Sequence, residues 1–167
     1  MALPVPKRRY SWGETAFLMA YLQATYPGRL TRTNMRVGSL AEQAPRPGLT
    51  PSQLKLMGAF NRYPDAVVET PGGLVVIEAK IRKVMEAIGD LLVYAERIPE
   101  TEELGALRFG PLRLELVAPF PDADVRAICL RTGIVYVVFP WPDLDRFLSE
   151  RQQYFRRRPA AETQQVF

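Results

Sequence analysis

The chain has 167 residues, 47% of them hydrophobic and 24% charged, ordinary proportions for one domain with a single core. Its net charge of +4, carried mostly by Arg, suits a nucleic-acid partner, because the guanidinium fork binds phosphate bidentately. The absence of histidine and the single cysteine, Cys129, exclude Ser-His-Asp and Cys-His catalysis, His-ligated metal and an internal disulfide framework. Any metal is therefore expected on oxygen ligands, which points to Mg²⁺ or Mn²⁺. No apolar run reaches the roughly 18 residues that span a bilayer, so no membrane partner is expected. MALPVPKRRY has no apolar segment after its basic residues and does not read as a signal peptide. The lone cysteine fits a reducing compartment, and a cytoplasmic location is expected.

Residues 1–10, basic and rich in proline, read as a flexible arm. Ser11-Trp12-Gly13-Glu14 is a capping box, and Phe17, Leu18, Tyr21 and Leu22 recur at helical spacing, so a helix is expected over 12–26. Residues 30–38 alternate like a strand that puts Arg32, Asn34 and Arg36 on one face. Residues 39–49 read as a loop, and Thr50-Pro51-Ser52-Gln53 starts a short helix over 51–61. A hairpin follows, with strands at 65–70 and 74–80. The stretch 83–98 is amphipathic, with Val84, Ala87, Ile88, Leu91, Leu92 and Ala95 as its buried stripe. PETEELGA is expected to be an acidic loop. A strand is expected at 113–120, then a short helix ending at Gly133. IVYVVFP, 134–140, is wholly apolar and reads as a central strand. A last helix starts at Asp143 and runs to about 157, before a flexible polar tail at 158–167. Strands interleaved with helices predict an α/β domain with a mixed central β-sheet flanked by helices, and the whole chain, 1–167, as one domain.

The hairpin, PDAVVETPGGLVVIEAK, carries the chemistry. Residues i and i+2 of a strand share a face, so Glu78 and Lys80 point the same way, while Val75, Ile77 and Ala79 point to the core. A Gly72-Gly73 turn puts Asp65 opposite Lys80, and a Thr70-to-Gly73 loop puts it opposite Glu78. Both registers gather Asp65, Glu78 and Lys80 on one face. An odd loop breaks that match unless a bulge restores it. Glu69 lies nearer the hairpin tip and reads as exposed. Two carboxylates can hold a hard divalent cation, the carbonyl of Ala79 can add a ligand, and the lysine can orient or deprotonate the attacking water, or stabilise charge on a phosphate.

Pro64-Asp65, followed after twelve residues by Glu78-Ala79-Lys80, resembles the motif of the PD-(D/E)xK nuclease superfamily. The resemblance extends to a glutamate on the first helix, here Glu14, and to the helix after the lysine. There Asp90-Leu91-Leu92-Val93-Tyr94 stands where the RecB-like and phage exonuclease branch has Q-x-x-x-Y. It covers about two thirds of the chain. It implies a restriction-endonuclease-like core of order αβββαβ and a Mg²⁺- or Mn²⁺-dependent deoxyribonuclease. In that reading Asp65, Glu78, Ala79 and Glu14 are metal ligands, Lys80 assists the water, and Asp90 and Tyr94 lie at the site. DNA is the implied partner, in phage or prokaryotic DNA processing such as recombination, packaging or head completion, with partners from those processes or a homo-oligomer left open.

Each residue also has a structural reading. Glu14 is a capping-box residue, and Asp90 and Tyr94 are an i, i+4 helix pair. Arg82 and Lys83 follow the motif and suit phosphate contact or a solvated turn. Arg32 and Arg36, with the clusters Lys7-Arg8-Arg9 and Arg156-Arg157-Arg158, suit a nucleic-acid backbone or a solubilising surface. Two other functional readings stand beside the nuclease: a Holliday junction resolvase-like endonuclease, and a non-catalytic DNA-binding or assembly protein that retains the fold.

Overall fold

Five strands form one mixed sheet in a computed structural model of the chain, which describes residues 12–39 and 62–149 (for Trp12, the backbone alone). In chain order the elements are α1 (Trp12–Thr25), β1 (Thr31–Thr33), β2 (Ala66–Thr70), β3 (Gly73–Ala79), α2 (Glu86–Arg97), β4 (Leu112–Ala118), α3 (Ala123–Thr132) and β5 (Val135–Val138). Spatial order follows chain order. β1, β2 and β3 pair antiparallel; β3, β4 and β5 pair parallel through the crossovers of α2 and α3. The expected 51–61 helix, the two terminal basic clusters and the end of the last helix lie outside the described residues; residues 144–149 are helical.

Alternation along the strands divides the core in two. Val67, Leu74, Val76, Leu114 and Leu116 pack beneath α2 and α3, against Ala87, Ile88, Leu91, Tyr94, Val125 and Cys129. Ala66, Val68, Val75, Ile77 and Val117 pack beneath α1, against Phe17, Leu18, Tyr21 and Leu22, with Trp141 and Leu144 from the C-terminal side. The face of β3 that carries Glu78 is therefore buried like the opposite one. This corrects the expectation that only the Val75–Ile77–Ala79 face enters the core. The buried stripe of α2 includes Tyr94, while Leu92 turns outward.

Three other expectations change. The strand over 30–38 is only Thr31–Thr33, because Asn34 takes a left-handed conformation (φ 54°) that breaks the ladder; Val37 later forms an isolated bridge to Arg62. The acidic loop is built of two tight helical segments, Ile98–Glu100 and Glu102–Phe109, the second kinked at Gly105. IVYVVFP is the edge strand β5, not a central one. Its apolarity comes from cover on both faces, since Tyr136 packs on one core and Val137 and Phe139 on the other. The helix at 123–132 ends as expected, with Gly133 left-handed (φ 72°), and Asp122 caps its start by accepting from the backbone N–H groups of Asp124 and Val125. No helix among the described residues is long and apolar enough to cross a membrane.

The hairpin closes through Pro71-Gly72, with Thr70 and Gly73 still paired. Gly73 has φ 120°, and a Cβ there would collide with the carbonyl oxygen of Pro111, whose partner is the N–H of Leu74 at 2.9 Å. Gly73→Ala is therefore expected to destabilise the fold by about 1–3 kcal/mol through backbone strain and lost contact with β4. Urea denaturation checks this; an unchanged midpoint would contradict the tight approach of the turn to Pro111.

Candidate active site

The β2–β3 register decides the geometry. Ala66 faces Ile77, so one step further Asp65 faces Glu78, the second of the two expected registers, reached with an even, two-residue loop. Asp65 sits just before β2 and accepts a 2.9 Å hydrogen bond at Oδ2 from the N–H of Ala79. That bond fixes the carboxylate against the end of β3. Glu78 lies inside β3 and is 2% exposed; Asp65 is 7% exposed. Lys80, one residue past β3, places Nζ 2.7 Å from Glu78 Oε2 and 3.6 Å from Asp65 Oδ2. The three side chains converge.

The electrostatics are unbalanced. Burial, and then the neighbouring Asp65 carboxylate, push the Glu78 pKa up from 4.5 to about 8, and Lys80 only partly opposes this. Burial disfavours the Lys80 ammonium, but Glu78 and Asp65 outweigh it and hold the pKa well above the usual lysine range. The 2.7 Å approach to Glu78 is an ion contact off the hydrogen-bond direction. Among the described residues Oε2 of Glu78 has no aligned donor. The Lys80 ammonium is thus the charged partner of this buried oxygen.

Tyr94, on α2, is buried against this pair. Its hydroxyl donates to the carbonyl of Tyr63 at 3.3 Å, and burial, followed by the charge of Glu78, keeps it protonated. Asp90, one turn earlier, sits at the rim, 3.7 Å from Arg62. Glu14 is half-buried in the first turn of α1, and its charge acts on Lys80. No three acidic side chains among the described residues converge closely enough to hold a metal together, so Glu14 does not complete a three-carboxylate cluster with Asp65 and Glu78 in this conformation.

The expected phosphate-binding residues are dispersed. Arg32 donates from both Nε and Nη2 to one oxygen of Glu69, at 3.2 and 2.7 Å, so Glu69 is a partly buried partner and not the exposed residue expected. Arg36 donates to the carbonyl of Ser39. The break at Asn34 removes the shared strand face on which these two arginines were expected to lie. Arg82 and Lys83 are exposed just beyond the motif; Lys83 is left-handed (φ 55°) and pairs with Glu86 at 3.0 Å. Arg156, Arg157 and Arg158 lie outside the described residues.

Sequence reasoning missed a third buried carboxylate. Glu115, on β4, is 0% exposed and accepts from Tyr21 at 2.8 Å and Tyr26 at 2.7 Å, with Arg113 also at 2.7 Å. It is fully partnered and pins α1 to the sheet. Its signal was a lone Glu inside the apolar run RLELVA, the same kind that marks Glu78.

No family model and no curated protein matches the chain. Among solved structures it is similar to the crystal structure of a protein of unknown function, AF1548, at 14% identity and a TM-score of 0.43, over 83% of this chain and 66% of that one. The chain thus spans just under two thirds of that protein's length.

The raised pKa of Glu78 has a sign that can be tested. Folded Glu78 keeps a proton between pH 4.5 and about 8 that the unfolded chain releases. Its stabilising contribution is full below 4.5 and is lost as pH rises through about 8. Lys80, with its pKa raised, loses its contribution only at higher pH and does not offset this fall. The melting temperature of metal-free protein is expected to drop across this window, and Glu78→Gln to flatten the drop. An equal slope in the variant would remove Glu78 as its source.

Proposed function

We propose that the chain is a metal-dependent nuclease that hydrolyses DNA phosphodiester bonds, with a restriction-endonuclease-like core. The observation that carries this reading is the convergence of Asp65, Glu78 and Lys80 at the end of the hairpin, with a buried Glu78 oxygen that has no aligned donor. The element order α1-β1-β2-β3-α2-β4 also supports it, being the αβββαβ order of PD-(D/E)xK nucleases.

Asp65 and Glu78 fit a hard divalent cation. They are oxygen donors on one face, and together they carry more negative charge than Lys80 can balance. They would hold Mg²⁺ or Mn²⁺, with the Ala79 carbonyl and Glu14 as further oxygen donors. When bound, the metal polarises a phosphoryl oxygen and lowers the pKa of a bound water. A dication on the pair would displace the Glu78 proton and leave the site positive, which suits a phosphodiester. Lys80 would orient or deprotonate the attacking water, or stabilise charge growing on the phosphate. Tyr94 keeps its proton and walls the Glu78 side of the site. Asp90 at the rim holds Arg62. Arg82 and Lys83, exposed after the motif, would contact the nucleic-acid backbone.

Supercoiled, linear and single-stranded DNA, incubated with the full chain and Mg²⁺ or Mn²⁺, test this directly. Cleavage is expected, with loss on adding EDTA and a fall of about a hundredfold or more for Lys80→Ala and for Asp65→Asn. Cleavage that persists in these variants, or without metal, would sink the mechanism. Binding without cleavage in any metal would make the chain a DNA-binding protein instead.

A further inference from the structure

Among the three members of the site, Lys80 differs in how it is held. Asp65 is tied by the N–H of Ala79, and Glu78 is fixed inside the β3 ladder, paired with β4 at Leu116. Lys80 lies beyond the last residue of β3, its side chain is 26% exposed, and its contact with Glu78 is a charge contact without hydrogen-bond alignment. A long, unbranched stem reaching in from the open edge can withdraw; the two carboxylates cannot. The negative charge of Glu14, which already acts on Lys80, offers the ammonium a third carboxylate to move towards.

We infer that Lys80 is the resident counter-cation of the site: its ammonium occupies the space between Asp65 and Glu78 and must withdraw before a divalent cation takes both carboxylates, so that this lysine sets the metal affinity. The inference rests on the metal-dependent function proposed above and adds to it a regulation of the same site. Without metal, the Lys80 ammonium fills the space between the Asp65 and Glu78 side chains. With metal, it is released towards the open edge, where the phosphate of a bound nucleic acid would meet it. Metal binding and the positioning of Lys80 for its work on the phosphate are then one event.

Calorimetric titration of Mg²⁺ and Mn²⁺ into the full chain separates the outcomes. Lys80→Met is expected to bind metal about tenfold more tightly than the natural protein, because nothing then competes for the pair. It is also expected to melt lower in EDTA and to gain more from added metal. Equal or weaker metal binding by Lys80→Met, with the natural protein binding normally, overturns the competition and leaves the nuclease reading intact. Absence of binding in both proteins overturns the metal reading itself, and the competition with it. Should Lys80→Met not fold, the natural protein answers alone. With nitrogen-labelled lysine, the Lys80 ammonium resonance must change as Mg²⁺ is added, and an unchanged resonance at saturating metal refutes the displacement.

Discussion

Two carboxylates buried side by side repel each other and lose their hydration, and one ammonium restores only part of that loss. The Asp65–Glu78–Lys80 constellation has this imbalance, and much of the structure around it keeps it in place. The β2–β3 register brings Asp65 opposite Glu78. The Ala79 N–H holds Asp65, α2 covers the Glu78 side with Tyr94, and β4 pairs with β3 along the whole strand. A fold selected only for stability would gain by replacing Glu78 with an apolar residue, as its neighbours Val76 and Ile77 already are.

The same sheet carries a carboxylate with the opposite character. Glu115 is as deeply buried as Glu78, yet two tyrosine hydroxyls and an arginine satisfy it. The contrast gives a physical criterion for telling a structural buried acid from a functional one. Glu115 has aligned partners and locks α1 onto the sheet. Glu78 has a like-charged neighbour and an oxygen with no aligned donor. Through α1, the Glu115 network also fixes the helix that carries Glu14.

Much of this was legible in the sequence, and the failures have causes. The hairpin followed from period-two alternation around Pro71-Gly72-Gly73, but the sequence left two registers open, and the observed Pro71-Gly72 loop is shorter than the Thr70-to-Gly73 loop expected for the register found. Helices 12–25, 86–97 and 123–132 followed from apolar spacing and end signals such as Gly133. Strand position did not: IVYVVFP is apolar because helices cover both faces of the sheet to its edge, and side-chain pattern does not encode which strand pairs with which. The strand at 31–33 ends early because Asn34 tolerates a left-handed backbone, which alternation alone does not reveal. Glu115 escaped notice because its tyrosine partners lie 94 and 89 residues away in the chain. Arg32 and Arg36 were assigned by face, and a face is lost once the strand breaks.

The central claim is that the end of the hairpin is a metal site formed by Asp65 and Glu78. Crystals of the full chain grown with Mn²⁺, and measured for the anomalous scattering of manganese, test it most directly. A single strong peak between the Asp65 and Glu78 carboxylates, with the Lys80 ammonium displaced from them, is the predicted result. Well-ordered carboxylates still bridged by Lys80 in saturating Mn²⁺, with no peak between them, would contradict the account.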